Sequence, residues 1–226
     1  MSLLAAKVSL LVGLAALVGA AATAAILLVA PVRVGATGAT GAAGSGGYTT
    51  LFDRTLTRDE TTVDTGKNGI APGYDVLTIW IVAKTDDVTG GDGTDGGTLI
   101  PIYATVNGDT GRHYDFTYIV RGGYGTFGHG VLRGQTAWEL TAHGSRGTGN
   151  YPATNRITIP NYAATSFGKV GQDVTASPDG MADDDSEAVL KSLGWRSNAA
   201  INRLSITTGG TNKLRAGSRL LILGSN

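Results

Sequence analysis

The chain contains no cysteine. That excludes a disulfide framework, a thiolate metal site and a cysteine nucleophile. Charge is also sparse: 16% of the 226 residues are Asp, Glu, Lys or Arg, with 18 of each sign and no net charge. Such a balance implies no strongly basic face, so nucleic-acid binding by phosphate neutralisation is not expected. Only three histidines are present, His113, His129 and His143. They lack the spacing of a zinc-binding helix and read as surface or turn residues. No Gly-x-Ser-x-Gly elbow or phosphate-cradling P-loop occurs. Gly123 to Gly128 fits the letters GxGxxG, but no helical pattern follows, so the match implies no dinucleotide. Nothing in the sequence calls for a cofactor.

What the chain does have is one long apolar run. Residues 8–30, VSLLVGLAALVGAAATAAILLVA, carry no charge over 23 positions. As a helix the run is about 35 Å long, enough to cross the apolar core of a bilayer. Its Leu and Val residues point all round the helix, so lipid or other protein must surround it. A cleavable signal peptide is disfavoured, because the apolar run continues past the small-residue site Ala22-Thr23-Ala24. A membrane anchor and a self-associating bundle remain open. Lys7 and Arg33 give no charge asymmetry to orient a span. Leu3, Leu10 and Leu17 recur every seven residues, Leu14 lies between them, and Gly13 and Gly19 offer close helix contact. These six are the candidate anchoring and oligomer residues.

Pro31 ends the helix. Glycine then recurs every third residue, at 35, 38, 41, 44 and 47. That is the collagen-like Gly-x-y period, here too short and too poor in proline to hold a triple helix alone. The expected organisation is a hydrophobic helix over 1–31, a Gly-rich linker over 32–47 and one β domain over 48–226. The order of apolar helix, Gly-x-y tract and β-rich head points toward a trimer.

The remaining residues alternate as strands do. Strands are expected at Tyr48 to Leu56, Tyr74 to Val82, Leu99 to Val106, Tyr114 to Val120, Thr136 to His143, Arg156 to Ile159, Ile201 to Thr207 and Arg219 to Leu223. Val76 to Ala83 reads as a central strand buried on both faces. Asn107-Gly108-Asp109 reads as a turn, and Asp185 to Leu193 as a short helix capped by Ser186. About eight short strands between Gly, Asn, Asp and Pro turns predict a mainly β, jelly-roll-like sandwich.

Three ordered segments carry a family resemblance. They are Asn107-Gly108-Asp109-Thr110-Gly111-x-x-Tyr114, then Ile157-x-Ile159-x-x-Tyr162-Ala163-x-Thr165-x-Phe167-x-Lys169. The third runs Gly194-Trp195-x-Ser197-x-Ala199-Ala200-Ile201, with Ile206 and Gly217-Ser218 to Leu223-Gly224. Together they resemble the β-rich head domain of tailed-bacteriophage structural proteins of the minor-tail, tail-fibre and head-fibre types. The resemblance spans Tyr48 to Gly224, except that Met181 to Leu193 is longer and more acidic than the pattern. It implies a non-enzymatic virion protein on the tail or capsid exterior. Its implied partners are copies of itself, other virion proteins and a glycan or protein of the host surface, with no nucleic acid. The rival readings are a membrane-anchored viral or cell-surface spike and a tail-associated glycan hydrolase.

Among individual residues, Trp195, Ile201, Ile206, Gly217 and Ser218 are expected to define the fold. Trp195 should pack the core, and the last strand should lie beside the penultimate one. Asp86, Asp87, Asp92 and Asp95 sit in a glycine-rich loop and are weak calcium candidates, off the EF-hand spacing. Asp183 to Asp185 suit a helix start better than a metal. Tyr124, Phe127 and Tyr151 lie among glycines and are the candidate surface contacts.

Overall fold

The computed structural model describes residues 47–86, 99–121, 127–143, 152–177 and 187–226. The chain divides into two units, Met1–Gly44 and Ser45–Asn226, and every described residue belongs to the second. The expected helix over 1–31, with Leu3, Leu10, Gly13, Leu14, Leu17 and Gly19, lies outside the described residues.

The described residues hold twelve strands and no helix. In chain order these are β1 (Thr49–Thr55), β2 (Thr62–Asp64), β3 (Val76–Ala83), β4 (Leu99–Val106), β5 (Tyr114–Arg121) and β6 (Phe127–Gln135). Then follow β7 (Trp138–His143), β8 (Ala153–Pro160), β9 (Lys169–Ser177), β10 (Glu187–Trp195), β11 (Leu204–Thr208) and β12 (Arg219–Ser225). They form two antiparallel sheets. The larger runs β1-β12-β3-β8-β9-β10-β5-β6, and the smaller runs β2-β11-β4-β7.

One hydrophobic core joins the sheets. Leu77, Ile79 and Ile81 of β3, Ile157 and Ile159 of β8 and Ile222 of β12 meet Ile102, Ala104 and Val106 of β4 and Ile206 of β11. The alternation read from the sequence therefore places side chains as expected in this part of the molecule. Strand β3 is central, between β12 and β8. Only one of its faces is fully buried, because Trp80 and Val82 on the other face are half-exposed.

Two excursions extend the larger sheet. The β5–β6 hairpin is inserted between β4 and β7, and the β9–β10 pair between β8 and β11. The two pair with each other through β10 and β5, with Leu190 opposite Ile119. They carry the larger sheet four strands past β8, and β7 is the edge of the smaller sheet.

Three further expectations are corrected. The segment read as a helix ending at Leu193 is β10, and Asp185 lies outside the described residues. Glu, Ala, Leu and Lys favour helix locally, but pairing with β9 on one side and β5 on the other overrides that preference. The penultimate strand begins at Leu204; Ile201 precedes it, buried and held by a hydrogen bond from its amide to Tyr162 O (2.9 Å). The last strand does not lie beside it, since β12 sits between β1 and β3 in the other sheet. Gly217 makes that crossing possible with φ of 92°, a conformation in which a side chain is strained.

Candidate contact face

Strand β9 is built inside out. Lys169, Asp173, Thr175 and Ser177 face the interior and are buried, while Val170 (61% exposed) and Val174 (45%) face solvent. An isolated strand would gain by the opposite arrangement, since burying apolar surface is favourable and burying polar groups is costly. The reason for the polar interior lies across the gap.

The edge strand β7 has backbone groups that no further strand pairs, and buried groups of that kind must find partners. Asn155 of β8 supplies two of them. Its Oδ1 accepts from Thr141 N (3.1 Å) and its Nδ2 donates to Thr141 O (2.6 Å). Lys191 of β10 supplies a third through Nζ to Glu139 O (2.8 Å). Trp138 returns a bond the other way, Nε1 to Gly194 O (2.8 Å). The Thr175 hydroxyl lies 3.0 Å from both Asn155 Oδ1 and Asp173 Oδ2, and Asp173 is directly opposite Lys191 in register. These polar side chains thus replace a missing fifth strand of the smaller sheet.

Burial governs their charge. It pushes the Asp173 carboxyl up to about 6 against the pull of Lys191 and the Thr175 hydrogen bond. It also lowers Lys191, despite the nearby Asp173 and Glu139 charges. Asp173 Oδ1 is buried without a hydrogen-bond partner, as is Ser177 Oγ. The raised pKa and the unpartnered Oδ1 both favour the protonated form of Asp173 below about pH 6.

With the polar residues of β9 turned inward, the outer face of β9-β10-β5-β6 carries exposed apolar side chains. Cross-strand register puts Val174, Leu190 and Ile119 in one row, about half exposed each. The adjacent row is Gln172, Ser192, Thr117 and Val131. Beyond it the face sinks into an open dent of about 440 Å³, floored by Ser192 and Gly194 and walled by Val131 and Val170. Gly194 creates the dent by having no side chain between Val170 and Asp115. Arg121 stands opposite Phe127 at one end of the face. At the other end charge lines the rim of the dent, where Asp115, near Arg133, pairs with Arg196 (3.2 Å) and accepts from Gly134 N (2.8 Å).

The motif residues meet beside this rim. Asp109 accepts from Trp195 Nε1 (2.8 Å) and Gly111 N (2.8 Å) and lies 2.9 Å from His113 Nδ1. Burial works to raise its pKa, and the Trp195, His113 and Gly111 contacts outweigh that and hold it below the usual carboxylate value. Tyr114 donates to Asp109 O (2.9 Å) and accepts from Val106 N (2.9 Å), and burial pushes its hydroxyl up to about 12. The segment Asn107 to Tyr114 and Trp195 therefore lock the β4–β5 connection against the end of β10. Asn107 and Gly108 both take positive φ, 55° and 72°, as the expected turn requires.

The expected site residues fall unevenly. Trp195 and Ile206 are core residues, and Ser218 is buried with its Oγ accepting from Lys84 N (3.2 Å). Of the calcium candidates, Asp87, Asp92 and Asp95 lie outside the described residues. Asp86 accepts from Lys213 N (2.6 Å) and so holds a loop crossing. Among the described residues, no three His, Cys, Asp or Glu side chains are grouped to hold a metal ion. Tyr124, Tyr151 and Asp183 to Asp185 also lie outside. Phe127 opens β6, is 68% exposed and stands against the His129 ring at a centroid distance of 6.3 Å. It marks one corner of the apolar outer face.

Sequence reasoning missed the centre of that face: Val170, Val174, Leu190, Ile119 and Val131. The alternation in KVGQDVTAS was visible, but the usual assignment sends valines inward. No protein family model matches the chain, and no curated protein or solved structure shows significant similarity to it.

Proposed function

We propose that the chain is a non-enzymatic structural protein of a tailed-phage virion, of minor-tail or fibre type, with a jelly-roll head. The single observation that supports this is strand order. Without its two excursions the larger sheet reads β1-β12-β3-β8 against β2-β11-β4-β7. Successive strands alternate between sheets at every step except β4 to β7, which is how a jelly roll winds. Jelly rolls build capsid and lectin domains, so the fold suits assembly and surface attachment, although fold alone never assigns a role. In this reading the leading residues 1–31 bundle as a homotrimer and dock among other virion proteins. The head then stands on the tail or capsid exterior, where Phe127, with Tyr124 and Tyr151, meets a host glycan or protein.

The 23-residue uncharged run favours a second reading, a membrane-anchored spike. Detergent extraction separates the two. The virion reading expects the chain to remain with lipid-free, detergent-washed particles and to be visible as a projecting head when labelled. Release of the whole chain by detergent, as a monomer, overturns it. Tyr124→Ala is expected to lower adsorption to host cells while leaving particle assembly intact.

A further inference from the structure

We propose that the outer face of β9-β10-β5-β6 is an interface between two copies of this chain, packed face to face about a two-fold axis. The inference does not rest on the virion reading or on residues 1–31. It rests on area, charge and shape.

Four strands about 4.8 Å apart and about eight residues long at 3.4 Å each span roughly 500 Å². A pair of such faces buries about 1,000 Å², the level at which specific interfaces begin. The centre of the face, Gln172, Val174, Leu190, Ser192, Thr117 and Ile119, has no charge. The centre therefore brings no like charges together, and the dent offers both signs in Asp115, Arg133 and Arg196.

Shape selects a copy of the same chain. The ridge of Val174, Leu190 and Ile119 and the dent over Gly194 lie on opposite sides of the Ser192–Thr117 row. A two-fold axis lying in the interface along that row turns each copy's ridge toward the other's dent. The contact is isologous and closes on itself, leaving no apolar surface to propagate. Sheet faces pack in this manner about 10 Å apart, which is the thickness of a ridge filling a dent.

The test exploits the absence of cysteine. In the full chain, Ser192→Cys places one thiol near the axis, and Thr105→Cys places a control thiol on the outer side of β4. With a short bis-maleimide linker, Ser192→Cys is expected to give covalent pairs at least about tenfold more readily than the control. Adding Leu190→Arg, or separately Ile119→Arg on another strand, is expected to reduce pairing by about tenfold or more. The near-ultraviolet signal of the three tryptophans reports whether each variant keeps its fold. Cross-linking of a folded Ser192→Cys chain at only the control level overturns the proposal. So does a face that becomes protected only when another protein or lipid is added. A loss of trimer mass on altering Leu10 or Leu17, with Ser192 cross-linking unchanged, concerns the leading segment alone.

Discussion

The two halves of the larger sheet solve opposite problems with the same backbone. In β1-β12-β3-β8 the inward residues are apolar, including Leu220, Ile222, Ile79 and Ile157, and a second sheet lies against them. Their outer side is shielded or charged: Arg156 lies over the Trp80 ring at 5.7 Å, and Arg219 pairs with Asp53 at 2.7 Å. In β9-β10-β5-β6 the opposing sheet ends at β7, and inward residues must complete a strand edge. Asp173 and Thr175 of β9 and Lys191 of β10, joined by Asn155 near the start of β8, occupy the interior beside Leu193 and Phe116, and Val170, Val174, Leu190 and Ile119 go outside. What decides whether a strand buries its apolar side is what stands opposite it. Amphipathic pattern alone cannot supply that.

The largest expected effect breaks the joint between the halves. Trp138 is fully buried, meets Tyr114 edge-on at 5.7 Å and bonds Gly194 O. Trp138→Ala is expected to remove about 4 kcal/mol of stability, measured by urea unfolding. Hydrogen exchange should quicken in β9, β10, β5 and β6 more than in β3 and β12. Equal loss in both halves would show that they do not differ in dependence on this joint.

A smaller effect isolates the polar interior. The Asp173 pKa is raised in the folded chain, so its contribution is complete below about pH 4 and falls as pH rises through about 6. The expected loss across that window is about 2 to 3 kcal/mol. Asp53, Asp64 and Asp109 act in the opposite direction, because their pKa values are lowered and their contributions fade as pH falls. Comparing wild type with Asp173→Asn at pH 4 and pH 7 cancels those terms. If the difference between the two chains does not change with pH, the interior carboxyl is not held protonated.

The smallest effect concerns the outer face. Val174→Thr removes apolar surface already in water, and is expected to change the unfolding free energy of an unpaired copy by less than about 0.5 kcal/mol. A larger loss that grows with protein concentration would mean the face is covered in the folded state.

Several strands were legible. Leu99 to Val106 is a strand with the same ends, and Tyr114 to Val120, Val76 to Ala83 and Arg219 to Leu223 fall within one to a few residues of strands. Trp195 in the core was legible as well, because a large apolar ring flanked by glycine and strand residues has few other places to go. Strands β2, β6, β9 and β10 were not. Glycine masks β6: Gly128 and Gly130 leave room for Val120 and the Tyr118 ring, where an added Cβ would sit 2.8 Å and 2.6 Å away. Polar inward residues mask β9, and helix-favouring composition masks β10. The candidate face was out of reach for the same reason, since three of its four strands were among those unread.

Local chemistry determined a cysteine-free chain without net charge, with a long apolar run followed by a β-rich domain whose turns fall where glycine and asparagine permit positive φ. Pairing between distant segments decided the rest. It put β12 between β1 and β3, turned β10 from a favourable helix into a strand, and reversed the faces of β9. Those outcomes depend on which backbone edge lies across the interior, and an edge exists only once the sheets have formed.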